Sequence, residues 1–265
     1  MPRPDFAPVC AATLQEWKAA RRRVVESDAR RGAVHAWRIQ TRRLLALEAL
    51  LAPRGAARRR GSLEHELHAA FHASGALRDA QVGAAALGRL ARTTPEAARL
   101  ARYLQRREPQ LVRRLQRRLH ATHGRQLARI IDGWYTPRRG DPGEVLTGRA
   151  TRRLRSTGRR VNAMPRTVSG TARSLHRRRI RLKELRYMAE LGRAAGMPRL
   201  PRLARLITLQ TRLGTVTDLD MLLRVLARFA AKHPHWREAR VLRRELLDRR
   251  SVLVRISSRR GSGAS

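Results

Sequence analysis

The chain has 265 residues, of which 60 are lysine or arginine and 20 are aspartate or glutamate, so its formal net charge at pH 7 is +40. Such an excess of one sign repels itself in a folded protein, and we expect an anionic partner that neutralises it. The single cysteine excludes an internal disulfide and favours a reducing cytoplasm. Arginine interrupts nearly every apolar turn, so the sequence predicts no membrane-spanning segment.

Helical periodicity runs through the whole sequence, whereas the alternation typical of strands is nearly absent. The fold class predicted is therefore all-α. In chain order, the first half predicts helices over residues 9–27, 33–51, 63–73, 77–91 and 95–120. The second half predicts helices over residues 144–162, 172–194, 202–212, 219–232 and 236–256.

Turn-forming residues are concentrated in residues 132–144, which contain two prolines and several glycines. We interpret this segment as the linker between a first helical-bundle half, residues 1–131, and a second, residues 145–257. Residues 258–265 form a short polar tail that we expect to be flexible.

Two motifs occur twice at nearly the same spacing. The pattern His-x-x-Arg-Ile-x-x-(Arg/Lys) begins at His35 and again, 141 positions later, at His176. Gly75 and Gly214 lie 139 positions apart, and each is followed four residues later by an aspartate. Agreement between two motifs indicates an internal duplication. We therefore expect two similar antiparallel helical bundles packed around a basic central groove.

The repeated pattern predicts a ladder of cations on each helix. Residues three, four and seven apart share one helix face, with a rise of ~4.5 to ~6 Å per rung. The opposite, buried face is expected to include Ile39 and Ile180. A run of linked phosphates would fit along two such ladders. The predicted binding residues are His35, Arg38, Arg42, Arg43, His176, Arg179, Lys183 and Arg186.

The same residues admit plainer interpretations. An arginine-rich helix face is often only solvated, although solvation does not require a histidine at the same place twice. Each histidine could bond a nearby backbone carbonyl or carboxylate, or it could donate to a phosphate oxygen, and both roles remain open. Further bases could widen the basic surface, namely Lys18, Arg22, Arg106, Arg113, Arg149 and Arg153.

The sequence predicts no catalytic site, no cofactor and no metal site. His68 and His72 have the i, i+4 spacing of a zinc pair, but no third ligand is evident. Asp79, Asp218 and Asp220 are candidate Mg²⁺ ligands, and we interpret them instead as helix caps or arginine partners in a loop or helix-start context.

The motifs, taken in order, resemble those of the conserved histidine α-helical domain, or CHAD, family. That pattern is close to V-H-x-x-R-(V/I)-x-x-R-R-L-R followed by L-G-x-x-R-D-x-x-V, with a second copy L-H-x-x-R-I-x-x-K-(K/R)-L-R-Y followed by L-G-x-x-x-D. The resemblance extends from about Leu14 to Arg255. The matching residues are His35, Arg38, Arg42, Arg43, Arg78, Asp79, Val82, His176, Arg179, Lys183, Arg186, Tyr187, Leu213, Gly214 and Asp218.

The resemblance implies two pseudo-symmetric helical bundles with a basic central surface that binds inorganic polyphosphate. It also implies association with polyphosphate granules in the cytoplasm, and binding without turnover. Two positions depart from the pattern, because Leu45 and Glu184 stand where the family has bases. Each ladder is thus one charge poorer, and Glu184 is expected to pair with a neighbouring arginine.

Two other functions remain open. A nucleic-acid-binding or nucleoid-type protein would use the same charge, although the ten aromatic residues are not interleaved with the basic ladders. A polyphosphate-processing enzyme is the other alternative. The partners expected are inorganic polyphosphate or phosphate- and sulfate-like anions, with non-specific nucleic acid as the rival.

Overall fold

The computed structural model describes residues 3–53, 62–134, 142–164, 172–198 and 200–259. Within these ranges the regular structure is entirely helical, which confirms the all-α prediction. The nine helices found there are α1 (Ala7–Glu26), α2 (Arg31–Leu51), α3 (Leu63–Leu90), α4 (Ala97–His120), α5 (Gly124–Asp132), α6 (Pro142–Asn162), α7 (Ala172–Ala194), α8 (Leu203–Lys232) and α9 (Ala239–Arg259).

A tight turn folds α2 back against α1. Asp28 and Ala29 adopt left-handed backbone angles, with φ of 49° and 57°, and the Ala29 N–H donates to the Val24 carbonyl at 2.9 Å. The two helices then bury Trp17 and Trp37 with their ring centroids 6.5 Å apart. Burying two such large side chains fixes the position of α2, the helix that carries the first ladder.

A buried carboxylate joins α2 to α3. Glu48 accepts hydrogen bonds from the backbone N–H groups of Leu63 at 2.8 Å and Glu64 at 3.0 Å, in the first turn of α3. Ser62 caps the same turn by accepting from the His65 N–H at 3.1 Å. Helix N-termini carry unpaired donors and partial positive charge, so Glu48 stabilises the start of α3. Burial nevertheless raises the pKa of Glu48.

The predicted breaks at Gly75 and Gly214 were wrong, because α3 and α8 run through them without interruption. A glycine inside a helix costs only about 1 kcal/mol relative to alanine. Burial of apolar residues on both sides of each glycine, such as Leu77 and Leu213, offsets that cost. The aspartates that follow the glycines are consequently in helix interiors, so the predicted loop or helix-start context was also wrong.

Other helix boundaries differ more locally. Helix α5 was not predicted, because nine residues with two buried apolar side chains give too short a pattern. Helix α6 begins inside the predicted linker, and α9 extends to Arg259, inside the predicted tail. The rest of those two segments, residues 135–141 and 260–265, lies outside the described residues. The division of the chain into two halves stays a prediction.

Contacts between early and late helices position the site. Helix α2 packs against α6 and α7, and α3 packs against α8. Gly83 of α3 faces Leu104 of α4 and Leu222 of α8, which lets three helices approach closely. None of the helices in the described ranges combines the length and apolar character needed to cross a bilayer.

One residue of α7 faces a different side of the helix from the one predicted. Ile180 was predicted to be buried, yet its side chain is 50% exposed, whereas Leu182 and Leu185 are buried. Ile180 lies four residues after His176 and three before Lys183, which places it on the cationic face. Its counterpart Ile39 is partly buried against the core.

Candidate anion-binding groove

Basic side chains cluster where α2 packs against α7, and further charged residues of α3 and α8 join them. The ten ionisable residues of this cluster interact electrostatically with one another across all four helices. We call this cluster of side chains the central groove, after the groove that the sequence predicts. It comprises His35, Arg38, Arg42, Arg78, Asp79, His176, Arg179, Lys183, Asp218 and Arg224.

Arg38 is anchored rather than solvated, as only 8% of the residue is exposed. Its Nη1 donates to the Phe71 carbonyl at 3.1 Å and to the Ser74 hydroxyl at 2.6 Å, both on α3. The guanidinium also lies 4.6 Å from the Phe71 ring centroid. Burial, together with neighbouring Arg42, lowers the pKa of Arg38 to about 10. The Nε of Arg38 is buried without a hydrogen-bond partner among the described residues.

Arg42, one turn further along α2, links the two ladders. Its guanidinium lies 5.5 Å from the Phe71 ring centroid and hydrogen-bonds to the Tyr187 hydroxyl of α7. Burial lowers the pKa of Arg42, and Arg179 across the groove adds to this effect. Phe71 and Tyr187 thus support Arg42 from two helices and hold its charge in the groove.

Lys183 is the most perturbed cation of the groove. Burial, followed by repulsion from Arg42, Arg179 and Arg78, lowers the pKa of Lys183 to about 6. Asp218 opposes this shift but does not cancel it. The charged form of this amine is therefore unusually unfavourable in the groove.

Two aspartates offset only part of the positive charge. Asp218 lies 3.7 Å from the Nη2 of Arg179, and it also attracts Arg78. Burial raises the pKa of Asp79, while Arg38 and Arg78 act in the opposite direction. Six lysine or arginine side chains thus share one groove with two carboxylates, an imbalance that a bound anion would relieve.

The two histidines lie at corresponding ends of the ladders and are both exposed. Burial of part of the ring, followed by repulsion from Arg78, lowers the pKa of His35. Burial and then Arg179 lower the pKa of His176. Among the described residues, no intramolecular hydrogen bond to either ring is found.

A glycine lies beside the central arginine of each ladder. A Cβ atom at Gly75 would lie 3.5 Å from the Nη1 of Arg38, and one at Gly214 would lie 3.8 Å from the Nη2 of Arg179. In both copies, therefore, the glycine motif lies beside the central arginine of the histidine motif. Any side chain larger than alanine at either glycine would compete with a guanidinium for its position.

Two of the predicted binding residues are directed elsewhere. Arg43 donates to Glu16 of α1 at 2.9 Å. Arg186 lies 3.4 Å from Glu190 and 4.5 Å from the Tyr187 ring centroid. Each is thus engaged with a carboxylate outside the central groove, whereas the structure brings the other six predicted residues together.

The six additional candidate bases fall into three places. Lys18 and Arg22 line a cavity of about 770 Å³ between α1 and α5. Arg106 and Arg113 are exposed on α4. Arg149 and Arg153 line a separate cavity beside α6.

Sequence reasoning did not propose Arg78 and Arg224 as binding residues. Arg78 precedes the aspartate of a matched motif, which was an available signal. Arg224 lies on α8 outside every motif, and only the fold brings it near His176 and Asp79. The same holds for the support that Phe71 gives to the first ladder.

The two departures from the family pattern have local explanations. Glu184 accepts a hydrogen bond from Arg181 at 2.7 Å, which confirms the predicted pairing. Leu45 is partly buried and packs against the core. Glu184 thus neutralises one neighbouring base.

The candidate metal ligands do not converge. Within the described ranges, no group of three or more His, Cys, Asp or Glu residues is placed to hold a metal ion. The rings of His68 and His72 are 4.4 Å apart, centroid to centroid. Asp220 is paired with Arg250 at 2.6 Å, so the interpretation of this aspartate as an arginine partner is confirmed.

Comparisons with known proteins agree with this architecture. The family model described as CHAD domain matches residues 9–251. A solved structure, the crystal structure of the CHAD domain from the plant Ricinus communis, superimposes with a TM-score of 0.63 at 20% sequence identity, covering 96% of this chain and 90% of that one. A search of curated protein sequences found no match. By its motifs, its fold and the extent of the family match, the chain belongs to the CHAD domain family.

Proposed function

We propose that the central groove binds inorganic polyphosphate without turning it over, and that the protein acts in the cytoplasm at polyphosphate granules. The observation that carries this proposal is the pairing of two ladders across the groove. Arg38 and Arg42 on α2 lie close enough to Arg179 on α7 for the positive charge of Arg179 to repel both of them. Such mutual repulsion is costly unless an anion lies between the cations.

The shape of the cationic surface favours a linear polyanion over a single ion. Along each helix, successive rungs rise by ~4.5 to ~6 Å, so each ladder extends over about two turns. Arginine forks present planar donors that suit phosphate oxygens. A chain of linked phosphates carries charge along its whole length and can contact every rung in turn.

The groove offers little to a nucleobase. Binding of single strands generally uses exposed aromatic faces on which bases stack. Phe71 lies against two guanidinium groups and Tyr187 is buried, so neither is a free stacking surface. This favours recognition of phosphates alone.

The carboxylates also favour binding without catalysis. Cleavage assisted by Mg²⁺ needs oxygen ligands that converge on the metal. Asp218 lies beside Arg179, and Asp79 is attracted by Arg38 and Arg78. Incubation with polyphosphate and Mg²⁺ should therefore release no orthophosphate above the level of a heat-treated sample.

A direct test compares the groove with a matched surface. Arg42→Gln combined with Arg179→Gln removes two groove charges, whereas Arg102→Gln combined with Arg117→Gln removes two exposed charges from α4. We expect the groove variant to weaken polyphosphate binding at least tenfold and the α4 variant to change it less than twofold. Equal losses in the two variants would overturn the proposal, since binding would then depend on net charge alone.

A further inference from the structure

A second basic cavity lies beside the central groove, on the C-terminal side of its ladders. It has a volume of about 1090 Å³ and is bounded by α6, the end of α2 and α7. We call it the α6 basin. Its basic residues are Arg149, Arg152, Arg153, Arg155, Arg159 and Arg160.

The charges of the α6 basin are unbalanced. Among the described residues that line it, the one carboxylate is that of Glu184, which already accepts a hydrogen bond from Arg181. Within the described part of the chain, none of the six arginines is paired with an acidic side chain. Arg149 has a structural role, because its Nη1 donates to the Leu51 carbonyl at the C-terminal end of α2 at 3.2 Å. Among the described residues, the other five guanidinium groups have no carboxylate partner, so a bound anion could contact them.

The α6 basin continues the line of the central groove. Glu184, in the basin wall, directly follows Lys183, the last rung of the α7 ladder. On the facing helix, Ala49 in the basin wall lies seven residues after Arg42. That spacing corresponds to ~10 Å along a helix, in the same direction on the same helix face. A linear chain that leaves the groove past Arg42 and Lys183 therefore enters the basin.

From this continuity we propose that the α6 basin is a second anion-binding site that holds the part of a long polyphosphate chain extending beyond the central groove. The inference rests on the proposed function. A second site would make the protein select long chains. A short chain contacts the central groove alone, whereas a long chain also contacts the arginines of the basin. Glu184, at the junction, repels phosphate and separates the two sites.

The test uses two variants that lose the same number of charges. The basin variant carries Arg152→Gln, Arg155→Gln, Arg159→Gln and Arg160→Gln, leaving Arg149 and Arg153 in place. The control carries four changes of exposed residues on α4, namely Arg102→Gln, Arg114→Gln, Arg117→Gln and Arg118→Gln. Each is titrated with inorganic tripolyphosphate, with long-chain polyphosphate and with duplex DNA across a salt series.

We expect the basin variant to bind tripolyphosphate within twofold of the wild type and long-chain polyphosphate at least tenfold more weakly. Its salt dependence should fall by up to about three units of slope, since each lost phosphate contact contributes roughly 0.7 for a flexible polyanion. The control variant should bind both anions within threefold of the wild type. Equal weakening of both anions in the basin variant, or an unchanged affinity for the long chain, would overturn the inference.

The titration with duplex DNA identifies which polyanion the basin binds. The Arg42→Gln with Arg179→Gln variant separates a failure of this inference from a failure of the proposed function. If the basin variant loses duplex DNA binding as strongly as long-chain polyphosphate, the basin is a general polyanion surface and the inference fails. Failure of the proposed function has a different signature, in which Arg42→Gln with Arg179→Gln leaves tripolyphosphate binding unchanged. Circular dichroism of every variant checks that its helix content is retained.

Discussion

The Nη2 of Arg179 lies 3.7 Å from the carboxylate of Asp218, so the central arginine of the second ladder has a partner that any incoming phosphate must displace or share. An ion pair at a partly exposed position is worth about 0.2 to 1 kcal/mol. Asp218→Asn should release Arg179 and remove a repulsive charge. At pH 6 we expect polyphosphate to bind up to about fivefold more tightly, as measured by calorimetric titration.

The control for Asp218→Asn is Asp248→Asn, which makes the same charge change at an exposed position on α9. This variant should leave the affinity within experimental error. Weaker binding by Asp218→Asn would show that the aspartate orients Arg179 rather than competing with the ligand.

Binding should consume a proton. In the free protein the pKa of Lys183 is about 6, because the amine is buried and is repelled by Arg42, Arg179 and Arg78 more strongly than it is attracted by Asp218. A bound polyanion raises that pKa, so the complex holds more protons than the free protein above pH 6. Affinity should therefore fall as the pH rises from about 6 to 8, by up to about tenfold per pH unit.

Lys183→Arg isolates this effect, because arginine keeps its charge throughout that pH range. We expect the variant to show a flatter pH dependence and less proton uptake, measured calorimetrically in buffers of different ionisation enthalpy. Lys232→Arg, at the exposed end of α8, serves as the control and should keep the wild-type slope. The histidines, whose pKa values are also lowered, contribute in the same direction in both variants.

Substitutions of Gly75, the glycine beside Arg38, should affect the stability of the protein and its binding of polyphosphate differently. A Cβ atom at Gly75 would make an ordinary contact, 3.5 Å from the Nη1 of Arg38. Gly75→Ala should therefore stabilise α3 by about 0.5 to 1 kcal/mol in chemical unfolding and leave binding unchanged. Gly75→Leu should displace the guanidinium and weaken polyphosphate binding. Equal affinities in the two variants would contradict the role assigned to Arg38.

Close packing of α3 against α4 and α8 can be tested with two glycines on one helix. A Cβ atom at Gly83 would lie 2.9 Å from a Leu104 methyl and 3.3 Å from a Leu222 methyl, whereas one at Gly88 would meet nothing within 4 Å. Gly83→Ala should lower the free energy of unfolding by about 1 to 3 kcal/mol. Gly88→Ala should raise it slightly. Denaturant titrations that gave both variants the same sign would contradict the described packing.

The sequence predicted the helical class and the ladders because both depend on local periodicity. Because of their spacing, His176, Arg179 and Lys183 lie on one face of any α-helix. Ile180 lies on that same face, but because isoleucine is apolar it was predicted to be buried on the opposite one. The continuity of α3 through Gly75 was not predictable in this way, since it depends on packing against α4 and α8. The low helix propensity of glycine, taken alone, predicts that the helix ends there.

The composition of the site was only partly predictable. Repetition singled out Arg38 and Arg179, but the anchoring of Arg38 by Phe71 and Ser74 joins α2 to α3 and has no signature in either helix alone. The same limitation explains Arg43, which follows the ladder in sequence but turns toward Glu16 on α1. Contacts between distant segments decide such cases.

The most direct test of the central claim is a competition titration of labelled long-chain polyphosphate against excess duplex DNA across a salt series. A groove shaped for linked phosphates should retain polyphosphate under DNA excess at moderate salt, and the two polymers should show different salt slopes. Displacement of polyphosphate by DNA, with parallel salt slopes, would contradict the claim and identify the protein as a general polycation.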